Sequence, residues 1–168
     1  MNKEVLLENL QASTKQLIYT FSNFTPANFN TKPSADEWSA GEVAEHLLRI
    51  ELFANDAFRS ETAPSDRDPD KLISFLKNRM DDTNKRKASE ITSPTGEQQD
   101  LNEMIAQFQT QRQKLAEAIE TMDITEACIG KPHPVLGVMT RMEWAAFVIY
   151  HTDRHLRQLQ RLGEIVSI

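Results

Sequence analysis

The sequence predicts an all-α fold, an antiparallel four-helix bundle with a short extra helix between the second and third long helices. Three observations predict it. Apolar residues recur at helical spacing through four long segments. No segment alternates with the period of two that a half-buried strand requires. Two of the long segments open on a Ser/Thr-x-x-Glu start signal. The 168 residues are expected to form one domain, spanning residues 1–168.

The first helix is expected from about Lys3 to Thr20, on the line Leu6, Leu10, Leu17 and Phe21 with Ser13 in the gap. Pro26 and Pro33 mark the linker from Asn23 to Trp38 as non-helical. Ser39 and Glu42 form a capping box for the second helix, whose face reads Val43, His46, Leu47, Ile50, Phe53 and Ala57 and stops near Ser60. Residues Glu61 to Asp70 hold Pro64 and Pro69 and read as a loop. Leu72, Phe75 and Leu76 give the short helix, Lys71 to Met80. The polar stretch Asp81 to Gly96, with Lys85, Arg86 and Lys87, reads as a solvated surface loop. The third long helix runs from about Gln98 to Met122 on a seven-residue repeat of Leu101, Phe108, Leu115 and Met122. A Gly/Pro-rich loop covers Asp123 to Met139. Thr140 and Glu143 then cap the fourth long helix, for which Gly163 supplies the expected stop.

Composition narrows the function classes. With 39% hydrophobic and 26% charged residues, the chain can hold a core and is neither disordered nor low-complexity. A net charge of −6 opposes general nucleic-acid binding, which needs a basic face. One Cys forbids an intrachain disulfide and fits a reducing compartment. No apolar run approaches the roughly 18 residues of a membrane span, and the start MNKEVLLENLQAS reads as an amphipathic helix rather than a signal peptide. The expectation is a cytoplasmic protein with a small-molecule substrate, no nucleic acid and no membrane.

The histidines carry the chemistry. On the fourth long helix Trp144, Phe147, Val148, His151, His155, Gln158, Leu159 and Leu162 make one stripe. His151 and His155 are one turn apart on it, with Cβ atoms about 5–6 Å apart, so both rings can reach one ion. His46 lies mid-stripe on the second helix, between Val43 and Ile50. If those two helices face each other, three imidazoles converge inside the bundle. Hydrogen-bonded core histidines are the alternative. Neutral imidazoles need polar partners when buried, and three together are costly unless something organises them.

The segments WSAGEVAEHLLRIE (Trp38 to Glu51), KPHPVLGVMT (Lys131 to Thr140) and EWAAFVIYHTDRHLRQL (Glu143 to Leu159) resemble the DinB/YfiT-like superfamily. Their order, their spacing and the loop His-Pro agree with it. The resemblance implies a four-helix bundle with an internal triad of His46, His151 and His155 holding a divalent metal, Zn or Ni first, and a homodimer. It implies a broad range of reactions: thiol-dependent S-transfer, thiol-dependent isomerisation and metal-dependent hydrolysis.

Around the triad, Thr152 stands where the zinc-peptidase motif H-E-x-x-H needs its Glu, so HTDRH does not predict a peptidase. Glu42 either orients His46 or serves only its capping box. His133, in the Pro-flanked loop, is a substrate contact, a proton shuttle or a surface residue. Arg112 breaks the apolar line of the third long helix, either to hold an anionic substrate group or, by default, to snorkel to solvent. Gln158 is placed to donate to a metal-bound water or substrate. Asp153 is expected to be solvated or paired with Arg157. Cys128 has no neighbour that would lower its pKa and is not expected to be a nucleophile. Asp66, Asp68 and Asp70 imitate a calcium loop, but Lys71 and Lys77 replace its Gly and Glu.

Two functions remain open. One is an enzyme in which a three-histidine ion, with open positions, activates water for hydrolysis or a low-molecular-weight thiol cosubstrate for S-transfer to a small electrophile. The other is a non-catalytic metal- or ligand-binding stress-response domain.

Overall fold

The computed structural model describes residues 1–167. These residues form five helices: α1 (Lys3–Ser22), α2 (Ala40–Phe58), α3 (Ile73–Asp81), α4 (Leu101–Thr121) and α5 (Arg141–Val166). The predicted starts of the first, second and fourth long helices hold, whereas the third begins at Leu101 rather than near Gln98, because Asp100 caps it. Asn2, Ser39, Asp100 and Thr140 are the N-caps, each side chain accepting from a backbone N–H in the first turn, and Ser39–Glu42 and Thr140–Glu143 are full capping boxes.

Packing shows which helices are neighbours. α5 packs against α1, α2 and α3, and α4 packs against α1 and α2. The core divides into two halves along the bundle. One joins Leu6 and Leu10 of α1, Ala54 to Phe58 of α2, Leu115 to Ile119 of α4 and Met142 to Ile149 of α5. The other joins Leu17 and Phe21, Ala40 to Leu48, Leu101 to Phe108, and Leu156 to Leu162. The order of these residues fixes direction. α1 and α5 run one way, and α2 and α4 run the other. Consecutive helices α1/α2 and α4/α5 are antiparallel, whereas α2 and α4 are parallel because residues 59–100 carry the chain back along the bundle. The bundle therefore has a long central crossover rather than up-down-up-down connections. Each fully buried Leu or Phe in these layers stabilises the fold by about 1.5–3 kcal/mol relative to exposure.

Three local expectations change. A two-residue strand pair exists where none is predicted: β1 (Thr62–Ala63) pairs antiparallel with β2 (Ala127–Cys128), too short for alternation to register. It ties the start of the crossover to the α4–α5 loop. Gly130 closes this junction by donating its N–H to Glu61 O at 2.9 Å, and a Cβ there would stand 2.8 Å from Glu61 N. Gly163 does not end α5, which continues to Val166, because Gly163 lies in helical backbone beside Phe24. Of the two expectations for Asp153, pairing with Arg157 is not met, and its side chain is left partly exposed. Arg157 donates to Met80 O at 2.7 Å, at the carboxyl end of α3, where unpaired carbonyls attract a cation.

Among the described residues, no helix is long and apolar enough to cross a membrane.

Candidate metal centre

The antiparallel contact of α2 with α5 brings His46 to His151 and His155. Ring centroids are 5.2 Å apart for His46–His151, 4.9 Å for His46–His155 and 4.6 Å for His151–His155. One nitrogen from each ring lies within 4.8 Å of the others. All three residues are buried. Phe147 stacks on His151 at 5.5 Å, and Trp38 leans over His46 at 5.1 Å.

Hydrogen bonding fixes which nitrogens face inward. A carbonyl oxygen can only accept, so His46 Nδ1 donates to Thr92 O at 2.7 Å and leaves Nε2 as a lone pair. His155 Nδ1 likewise donates to Gln158 Oε1 at 2.8 Å. His46 Nε2 lies 3.3 Å from His151 Nε2. A tetrahedral ion with bonds of about 2.0–2.1 Å holds neighbouring ligand atoms about 3.3–3.4 Å apart. The donor set, the one pair already at this spacing and the oriented Nδ1 groups of His46 and His155 therefore fit a divalent cation.

Electrostatics agree. Burial lowers the pKa of all three histidines, and the neighbouring imidazoles lower His151 and His155 further. His155 falls to about 3 and His151 well below its ordinary value. The rings are neutral at pH 7, the form that binds a metal without first losing a proton.

The other candidates are placed as follows. Glu42 does not touch His46. Its carboxylate accepts from Ser39 N at 2.9 Å and meets Lys32 Nζ at 3.0 Å, so it serves the cap. Gln158 orients His155 rather than pointing a donor into the cluster. His133 caps its own loop, with Nδ1 accepting from Val135 N and Leu136 N at 3.1 Å. Its ring also packs on Trp144 and Phe147, and Phe147 in turn carries His151. Burial lowers its pKa, with Arg79 adding to the effect.

Arg112 requires a correction, because it does not snorkel. It is 3% exposed and donates Nε to Glu51 Oε1 at 2.8 Å and Nη2 to Thr152 Oγ1 at 2.7 Å. Ser13 and Thr14 accept from Nη1. The guanidinium is consumed by the core and is not free for a substrate. Cys128 is fully buried in β2, where burial pushes its thiol up to about 11.

Sequence reasoning missed Thr92. Its contribution is a backbone carbonyl, which no side-chain pattern reveals.

An all-α bundle that encloses three converging, oriented imidazoles defines the class. The family model of the DinB superfamily matches residues 9–159. This chain belongs to the DinB superfamily. It is 31% identical over 140 residues to the uncharacterized protein YuaE of Bacillus subtilis (strain 168), covering 82% of this chain and 85% of that protein. The crystal structure of TT2238, described as a four-helix bundle protein, is similar in fold, with a TM-score of 0.55 and 20% identity, over 95% of this chain and 99% of that one.

Proposed function

We propose that this protein is a metal-dependent enzyme whose His46, His151 and His155 hold one divalent cation, Zn or Ni first, for chemistry on a small molecule. The observation that carries this reading is the pair of Nε2 atoms 3.3 Å apart, with His46 Nδ1 committed to a backbone carbonyl. Three neutral nitrogens, with no fourth His, Cys, Asp or Glu ligand grouped with them among the described residues, match the donor count of an open site, whereas a closed structural site has four. Bound there, the cation would lower the pKa of a coordinated water toward about 7, or favour the thiolate of a thiol cosubstrate.

The protein's own residues bind and orient. His46 and His155 are held in one tautomer by Thr92 O and Gln158 Oε1. Phe147 and Trp38 pack against His151 and His46 and wall the cluster. No side chain here is a ready nucleophile, since Cys128 is buried and protonated. The attacking group therefore comes from solvent, giving hydrolysis, or from a thiol cosubstrate, giving S-transfer. A cytoplasmic location and a homodimer belong to the same reading.

Burial of the triad supports a second reading, a non-catalytic metal- or ligand-binding stress-response domain. Its three residues keep only 5–8% exposure. Elemental analysis of protein purified without a histidine tag, followed by a screen of thiol cosubstrates and of esters and amides, tests the enzyme. His151→Ala separates the two. Metal loss with a nearly unchanged melting temperature supports catalysis. Metal loss that unfolds the chain supports a structural ion.

A further inference from the structure

Residues 82–99, the last part of the crossover, pass over α2 beside the histidines. Among the described residues of this segment the apolar ones are Ala88, Ile91 and Pro94, and Ile91 is 70% exposed. The segment therefore has almost no hydrophobic anchor. Yet its Thr92 carbonyl must lie within hydrogen-bond reach of His46 for that ring to keep its tautomer. Something polar has to hold it.

Glu45, one residue before His46, does so. Its carboxylate is buried and accepts from five donors. Thr95 N reaches both oxygens at 3.0 and 3.1 Å, and Thr95 Oγ1 reaches Oε2 at 3.1 Å. Gln99 Nε2 also binds Oε2, at 3.2 Å. Arg49 Nε and Nη2 bind Oε1 at 3.2 and 3.0 Å. Arg49 Nη1 then donates to Ile91 O at 3.2 Å, next to Thr92. One turn of α2 thus grips the segment on both sides of Thr92. Between the two grips, a turn at Ser89 sets the carbonyl's direction, with Thr92 N and Ser93 N both donating to Ser89 O.

We propose that Glu45, acting with Arg49, is a positioning residue that clamps the 91–95 backbone so that Thr92 O holds the His46 imidazole with its proton on Nδ1 and its Nε2 lone pair toward His151 and His155. Glu45 touches neither the rings nor a ligand and acts through the strand of backbone it holds. Replacing its carboxylate by an amide puts an N–H among N–H donors, so the clamp opens. Partners one step removed from a metal are worth about 10–100-fold in affinity. The affinity half of this inference rests on the metal reading, and the tautomer half does not.

The test uses the full chain without a histidine tag. The ring 15N shifts of His46 in metal-free protein report the tautomer, and titration with Co2+ reports affinity. In the native sequence His46 is a single species protonated on Nδ1. In Glu45→Gln and Arg49→Met, each checked for native helicity, the two ring nitrogens average and Co2+ binds at least tenfold more weakly. Should Glu45→Gln fail to fold, Arg49→Met carries the test. Folded variants that keep the Nδ1–H form overturn the clamp, whatever Co2+ does. If the variants lose that form but no version of the chain binds Co2+, the clamp stands and the metal reading falls.

Discussion

His46 Nε2 and His151 Nε2 face each other across the α2–α5 contact at 3.3 Å, 105 residues apart in sequence. With its proton on Nδ1, His46 Nε2 presents a lone pair, and His151 Nε2 meets it either by donating an N–H or by sharing a cation. Protein purified without a tag is expected to bind about one Zn2+ or Ni2+ per chain. Single replacement of His46, His151 or His155 by Ala is expected to weaken binding at least a hundredfold. Equilibrium dialysis with elemental analysis checks this, and stoichiometric binding by His46→Ala would refute it.

Arg112 and Glu51 form an ion pair at 3% and 2% side-chain exposure, and Glu51 Oε2 is buried with no hydrogen-bond partner. Removing one partner strands the other charge. Arg112→Met is expected to cost about 3–5 kcal/mol, and the double change Arg112→Met with Glu51→Leu to recover most of it. Urea denaturation of the single and double variants measures both. Equal losses in the two would mean that the pair itself stabilises the fold.

Glu143 links the start of α5 to the crossover. Beyond its capping-box bond, it accepts from Arg67 Nη1 at 2.6 Å, Arg67 Nη2 at 2.8 Å and Leu72 N at 2.9 Å, and it is fully buried. Glu143→Ala is expected to destabilise the protein by more than the roughly 0.5–2 kcal/mol of a lost cap. It should also expose residues 64–72 to limited proteolysis. An unchanged cleavage pattern would show that the crossover is held by other contacts.

Cys128 is predicted to be inert at neutral pH. With its pKa at about 11, thiolate is about one part in ten thousand at pH 7. The thiolate is the reacting form and a raised pKa withholds it. The alkylation rate of the folded protein should therefore climb about tenfold per pH unit from pH 7 to 10, with no plateau near pH 8.5. Iodoacetamide labelling followed by mass measurement, with unfolded protein as reference, reads this directly. Cys128→Ala should leave metal content unchanged.

The sequence made the triad legible because side chains on a helix declare their face. His46 lies between Val43 and Ile50, and His151 and His155 lie on the line from Trp144 to Leu162. The helix starts were legible for a similar reason, since Ser39–Glu42 and Thr140–Glu143 are local chemistry. Arg112 was not, because its burial depends on Glu51, 61 residues away, and a lone charge on an apolar stripe does not name its partner. Thr92 was hidden because its contribution is a backbone carbonyl inside a polar segment. The parallel course of α2 and α4 was equally hidden, since periodicity encodes which face is apolar and not where a long connection travels. Gly163 misled because a glycine's tolerance for ending a helix does not oblige it to do so.

The route of the crossover has a consequence for assembly. Thr92 O meets His46 only after residues 59–91 have traversed the length of the helices, so this contact bears the closure entropy of a long chain segment. A nascent chain, or one opened locally at the crossover, has the three histidines but not their alignment. On the metal reading proposed above, capture of an ion would be a late event that reports a completed molecule, and the ion would act as a seal on maturation rather than a seed for it.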